Sequence, residues 1–158
     1  MSGFHTFQPG LRAWLLLLGA LGAAAAQAQS IASTGALSFG SFVAGSGGTV
    51  VVGTSGARSK TGGVVLVGQG ATASAAQFLV SGTASATYAI TLPPDGTVSL
   101  SSGSQTMALN GFVSFPHATG TLSAGGSQVL NVGATLSVGA NQTPGNYSGS
   151  FNVTVQYN

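Results

Sequence analysis

The stretch "TPGNYSGSFNVTVQYN", residues 143–158, puts Tyr147, Gly149, Phe151, Val153, Val155 and Tyr157 on every second position, with polar or small residues between them. A period of two is the mark of a strand with one buried face. It is the cleanest alternation in the chain, and it sets the class of fold against which the rest is read.

Working outward from it, short β-rich runs recur between Gly, Ser, Pro and Asn punctuation. "ALSFGSF" alternates through Leu37 and Phe39, and "ATYAITLP" through Tyr88, Ile90 and Leu92. "GTVVVGT" and "GGVVLVG" are continuous Val-rich runs, as expected of strands buried on both faces or of short sheet centres. "AQFLVSG", "TVSL", "TMAL" and "FVSF" supply further strands. "PPDG", Pro93 to Gly96, is a turn, because Pro sets φ, Asp bonds locally and Gly tolerates positive φ. Asn110-Gly111 reads as a hairpin turn. "GATASAAQF" has room for a helical turn, which its Ser and Thr disfavour, and no segment after residue 28 keeps a 3.6-residue apolar period. Strands of five to eight residues with frequent turns predict an all-β protein, an antiparallel immunoglobulin-like β-sandwich.

Residues 1–28 read as an export signal peptide. Arg12 closes a polar start, "AWLLLLGALGAAAA" is the apolar stretch, and Ala26-Gln27-Ala28 suits cleavage. The apolar run is shorter than a membrane span requires. The expectation is therefore a mature chain of residues 29–158, one β-sandwich domain of 130 residues.

Within residues 29–158 the only ionic side chains are Arg58, Lys60 and Asp95. Nucleic-acid binding calls for clustered Lys and Arg, and a pair at 58 and 60 in a Gly/Ser segment reads as a solvated turn. There is no Cys, so disulfides play no part. The 44% hydrophobic content is that of a globular protein, and its patterning opposes disorder.

Catalysis needs groups that move protons, hold metal or attack. One carboxylate side chain excludes paired-carboxylate chemistry, and His117 with Asp95 cannot make three protein ligands to a metal. A nucleophilic triad would have to use the same two residues, without a GxSxG context. "VAGSGGT" and "VGQGATA" lack the Lys and the following helix of a phosphate cradle. The sequons at Asn141, Asn146 and Asn152 carry no assigned function. No enzyme, no cofactor and no metal site is expected.

"LSFGSF", "AAQFLVSGTASATYAITLP" and "LNVGATLSVGANQTPGNYSGSFNVTVQYN" together resemble the bacterial family called domain of unknown function 4402, from Leu37 onward. That family is similar to spore-coat-U-like and chaperone–usher pilin domains, which are incomplete immunoglobulin-like sandwiches. Such pilins tend to close with a penultimate Tyr and a Gly fourteen places from the end, positions held here by Tyr157 and Gly145.

The resemblance implies a subunit that exposes a groove, filled by a strand from a neighbour through β-augmentation. The candidate partner-strand contacts are Gly145, Tyr147, Gly149, Phe151, Val153, Val155 and Tyr157, with Gly149 leaving space for a partner side chain. Possible partners are a periplasmic chaperone, an usher and further copies in a fibre, without nucleic acid and without a membrane span after signal removal. The donor arm is short: residues 29–36 extend to about 26 Å, and Ile31 is their one large apolar side chain. The expectation is an exported structural subunit or surface protein, pilus- or fimbria-like, in the periplasm, at the surface or in an extracellular fibre of a Gram-negative bacterium. The alternative is a self-contained adhesive or carbohydrate-binding β-sandwich. Nine Phe and Tyr follow residue 28, mostly inside strand patterns, whereas sugar platforms want exposed aromatics.

Overall fold

The computed structural model describes residues 28–68 and 73–158. The export signal expected over residues 1–28 thus lies almost wholly outside the described residues, as does part of the Ala-rich segment at 69–72. Among the described residues the secondary structure is all β: β1 (Ser30–Gly35), β2 (Phe42–Val43), β3 (Gly48–Val52), β4 (Arg58–Gly62), β5 (Val65–Leu66), β6 (Ala76–Ser81), β7 (Thr87–Thr91), β8 (Val98–Ser102), β9 (Gln105–Phe115), β10 (Thr119–Thr121), β11 (Ser127–Val138) and β12 (Thr154–Tyr157). Every pairing between them is antiparallel.

β11 is the spine, because it is long and strictly alternating: Leu130, Val132, Ala134, Leu136 and Val138 are all buried. β9 lies along one of its edges. Its other edge is shared, with β6 on residues 127–132 and β3 on residues 134–138. Gly133 sits at the handover, where a Cβ would run into the carbonyl of Val52. β1 extends the sheet beyond β6, β4 beyond β3 and β8 beyond β9, giving seven strands.

Two small sheets cover the inner face of this large one. β10-β7-β12 packs over Leu130 and Val132, with Val80, Tyr88 and Leu122 between the layers. β2 and β5 pack over Ala134, Leu136 and Val138, with Phe39, Val50, Val52 and Val64 between. Phe112 and Leu37 touch both apolar clusters and join them. The result is an antiparallel β-sandwich, as the strand pattern predicts.

Four expectations need correction. Asn110-Gly111 is not a hairpin but a bulge inside β9, where Gly111 has φ +56° and the register against β11 shifts. The reason is tertiary: the Asp95 carboxylate accepts the Gly111 N–H at 2.7 Å, and Asn110 Oδ1 accepts the Gly96 N–H at 2.9 Å. These bonds tie the "PPDG" turn to the bulge, while the β8–β9 hairpin turns at Gly103, φ +58°.

"GGVVLVG" is no central strand. It contributes only the two residues of β5, with Val64 buried and Val65 55% exposed. "GTVVVGT" does form β3, but Val50 and Val52 alone are fully buried on it, so one face carries the core.

Arg58 and Lys60 lie in edge strand β4, not in a turn. A Lys on an edge strand discourages further pairing. The Arg58 guanidinium reaches across to the carbonyls of Phe39 and Ser41, at 3.0 Å each.

The fourth correction is to the opening stretch. Only Thr154–Tyr157 is strand. Ser148 pairs with Ser101 of β8 in the large sheet, and residues 149–153 then cross, outside either ladder, to join β7 in the small one. One alternating row in the sequence serves two sheets.

Candidate functional site

The residues singled out in the sequence divide accordingly. Tyr147 packs on the cluster around Leu136, whereas Phe151, Val153, Val155 and Tyr157 pack on the one around Leu130. Tyr147 is held locally, its hydroxyl donating to the Thr143 carbonyl at 2.7 Å and accepting from Gln142 Nε2 at 2.9 Å. Gly145 lies close to Ser102, whose Oγ would stand 2.7 Å from a Cβ. The space beside Gly149 is taken by this chain's own Ser99 carbonyl and Leu100 side chain, so the glycine admits the close approach of β8.

Phe151 fills the crossover. Its ring lies 5.1 Å from that of Phe112 and 6.3 Å, edge-on, from that of Phe78, within the range of favourable aromatic pairs. β12 then pairs with β7 from Thr154↔Thr91 to Tyr157↔Tyr88. β12 is the outermost strand of its sheet, so its second edge has no partner among the described residues. Phe151, Val153, Val155 and Tyr157 face inward yet remain only half-buried, unlike Leu130, Val132 and Tyr88 behind them. The sandwich is thinly covered along this edge.

Tyr157 spans the two layers there. Its hydroxyl donates to the Ser81 carbonyl at the end of β6, 2.7 Å away. Gly82 leaves room for the ring, since a Cβ would come within 3.0 Å of it. Beneath it, the fully buried Tyr88 ring stands 6.0 Å from the Tyr157 ring and donates its hydroxyl to Gln128 Oε1 at 2.7 Å. Burial, and secondarily the neighbouring Tyr157, push the Tyr88 phenol above its usual value of 10.0. Gly120 is obligatory beside it, because a Cβ would overlap the Tyr88 ring end.

Ile31 lies in β1 opposite Val80, one-third exposed at the rim. The segment read as a candidate donor arm is thus an edge strand of its own large sheet. His117 lies in the loop between β9 and β10, beside a cleft of about 200 Å³ that Ile90, Leu92 and Phe112 also line. Asp95 is engaged by the Gly111 N–H.

The Tyr88–Gln128–Gly120 arrangement joins β7 to β10 and β11 some thirty to forty residues on, so no local pattern in the sequence marks it. Sequence reasoning also passed over the outward turn of Phe115, 66% exposed. The signal was present: Val113 and Phe115 alternate with Phe112 and Ser114, so one pair must face away from the core.

Among the described residues, no group of three or more His, Cys, Asp or Glu is placed to hold a metal ion, and no helix is long and apolar enough to cross a membrane. No curated protein and no solved structure matches the sequence. A family described as "Domain of unknown function (DUF4402)" matches over residues 30–157, nearly all of the β structure. The chain belongs to the DUF4402 family.

Proposed function

We propose that this protein is an exported, non-enzymatic structural subunit or surface protein that accepts an extended strand from a partner along the open edge of β12. The observation that carries the reading is that, among the described residues, β12 pairs on one side only while its inward row, Phe151, Val153, Val155 and Tyr157, stays half-buried. A guest strand added to that edge gains main-chain hydrogen bonds and adds to the burial of these side chains, each gaining only part of the roughly 1.5–3 kcal/mol of full burial because it is already partly covered. An open edge of this kind is also an aggregation hazard, which gives a periplasmic chaperone a reason to cover it during export and a second subunit a reason to replace the chaperone.

The test is the assembly state of the purified exported protein. SDS-resistant multimers are expected, lost on deleting residues 29–36 and lost equally in Ile31→Asp, whose circular dichroism should match the parent. In this reading β1 leaves its place beside β6 to serve as the guest strand, with Ile31 as its donor side chain, and the partial exposure of Ile31 makes the point variant tolerable to the fold. A stable monomer that refolds alone after heating overturns the reading.

A further inference from the structure

The outer face of the large sheet, turned away from the sandwich core, holds a second feature. Where β11 passes from β6 to β3, the strands part and leave a shallow, open cleft of about 430 Å³. Its walls include Thr54 and Ser55 of the turn after β3, closed by the Gly53 N–H to the Ala57 carbonyl, and Ser74, Gln77 and Asn131. Among the described residues, no ionisable side chain lines it.

The register puts an aromatic one strand beyond the cleft lining, on the other side of Asn131. Gln77 pairs with Asn131 across β6 and β11, and Asn131 pairs with Phe115 across β11 and β9. The three side chains stand in one row on the same face, spanning about 10 Å at ordinary strand spacing. Phe115, 66% exposed, ends the row, with the exposed Val113 and Val129 near it. At its middle, Asn131 Oδ1 is buried and has no hydrogen-bond partner, an expensive condition for a carbonyl. The Asn131 side chain is among those that line the cleft, so its amide lies within reach of a ligand there. Ser74 Oγ gives its own hydrogen to the Ala36 carbonyl at 2.8 Å and so offers lone pairs.

From these observations we propose that this cleft binds a neutral saccharide. Hydroxyls and amides match a polyhydroxylated ligand that carries no charge, and the exposed Phe115 ring takes the apolar C–H face of a sugar ring. The lack of any ionisable lining group disfavours phosphate, carboxylate and ammonium ligands. The site lies on the outer face, apart from the edge of β12, so it stands or falls independently of strand exchange.

The test is nuclear magnetic resonance titration of the isotope-labelled exported protein with glucose, galactose, mannose, N-acetylglucosamine, maltose and chitobiose, with glucose 6-phosphate as the charged comparison. At least one neutral sugar should shift the amides around Ser74, Gln77 and Asn131. Phe115→Ala should weaken that binding tenfold or more, leaving the thermal transition in place because the ring is largely exposed. Gln77→Ala, also at an exposed position, should weaken it severalfold, so the outcome does not hang on Asn131→Ala folding. The proposal is overturned if none of the neutral sugars shifts these amides up to about 20 mM, the millimolar range of a weak site. It is overturned equally if Phe115→Ala binds as the parent does, or if glucose 6-phosphate binds tighter than glucose.

Discussion

The Tyr157 hydroxyl donates to the Ser81 carbonyl across 2.7 Å, and this one bond links the outermost strand of the small sheet to the end of β6 in the large one. Its ring rests on Tyr88 and its path is cleared by Gly82. Tyr157→Phe keeps the ring and removes the bond, at a cost of about 0.5–1.5 kcal/mol. Urea unfolding should show a lower midpoint with an unchanged slope, and an unchanged midpoint would mean that the bond contributes nothing net.

Gly149 passes against the Ser99 carbonyl of β8. A methyl group at that place forces the crossover away from the large sheet. Gly149→Ala is therefore expected to cost about 1–3 kcal/mol, in the manner of an overpacked contact. The neighbouring Ser150 is exposed, so Ser150→Ala should stay within about 0.5 kcal/mol of the parent. Thermal melts of the two variants make the comparison.

Tyr88 contributes a pH dependence whose sign follows from its burial. Its phenol titrates above 10.0 when folded, so the folded state holds the proton more tightly than the unfolded one. The corresponding stability is complete below pH 10.0 and is lost as pH rises from there through the higher folded value. Chemical denaturation between pH 9 and pH 12 should show the parent losing stability more steeply than Tyr88→Phe. Parallel pH curves for the two proteins would contradict the assignment.

Leu130 and Leu79 separate the two faces of the large sheet. Leu130 is fully buried between the layers, while Leu79 is 37% exposed on the outside. Leu130→Ala should cost about 2–5 kcal/mol. Leu79→Ala should cost less, about 1–2 kcal/mol, since part of its side chain is already in water. Equal losses by guanidinium titration would mean that the outer face is also covered in solution.

Much of the architecture is legible in residue order alone because period two is a local property. "AQFLVSG", "ATYAITLP" and "TVSL" announce β6, β7 and β8 by alternation and by the glycines and prolines that bound them. The scarcity of charge and the missing thiols are likewise statements about composition, and they narrow the chemistry without any structure. The inward direction of Phe151, Val153, Val155 and Tyr157 follows from the same alternation, whereas their half-burial is set by the open edge of β12.

Partner choice is not local, and there the tertiary structure decides. Asn110-Gly111 has the local preferences of a hairpin, yet the Asp95 carboxylate, from a turn sixteen residues before Gly111, captures the Gly111 N–H and makes it a bulge. The row from Tyr147 to Tyr157 keeps one period while its backbone leaves β8 for β7, because alternation records which side of a chain is apolar and not which strand lies beside it. Residue order determines that Phe115 and Val113 point opposite to Phe112, but only the packed layers determine that this side is the outer one. The row of Gln77, Asn131 and Phe115 is assembled from three strands by hydrogen-bond register, which depends on the whole sheet and on no single segment of it.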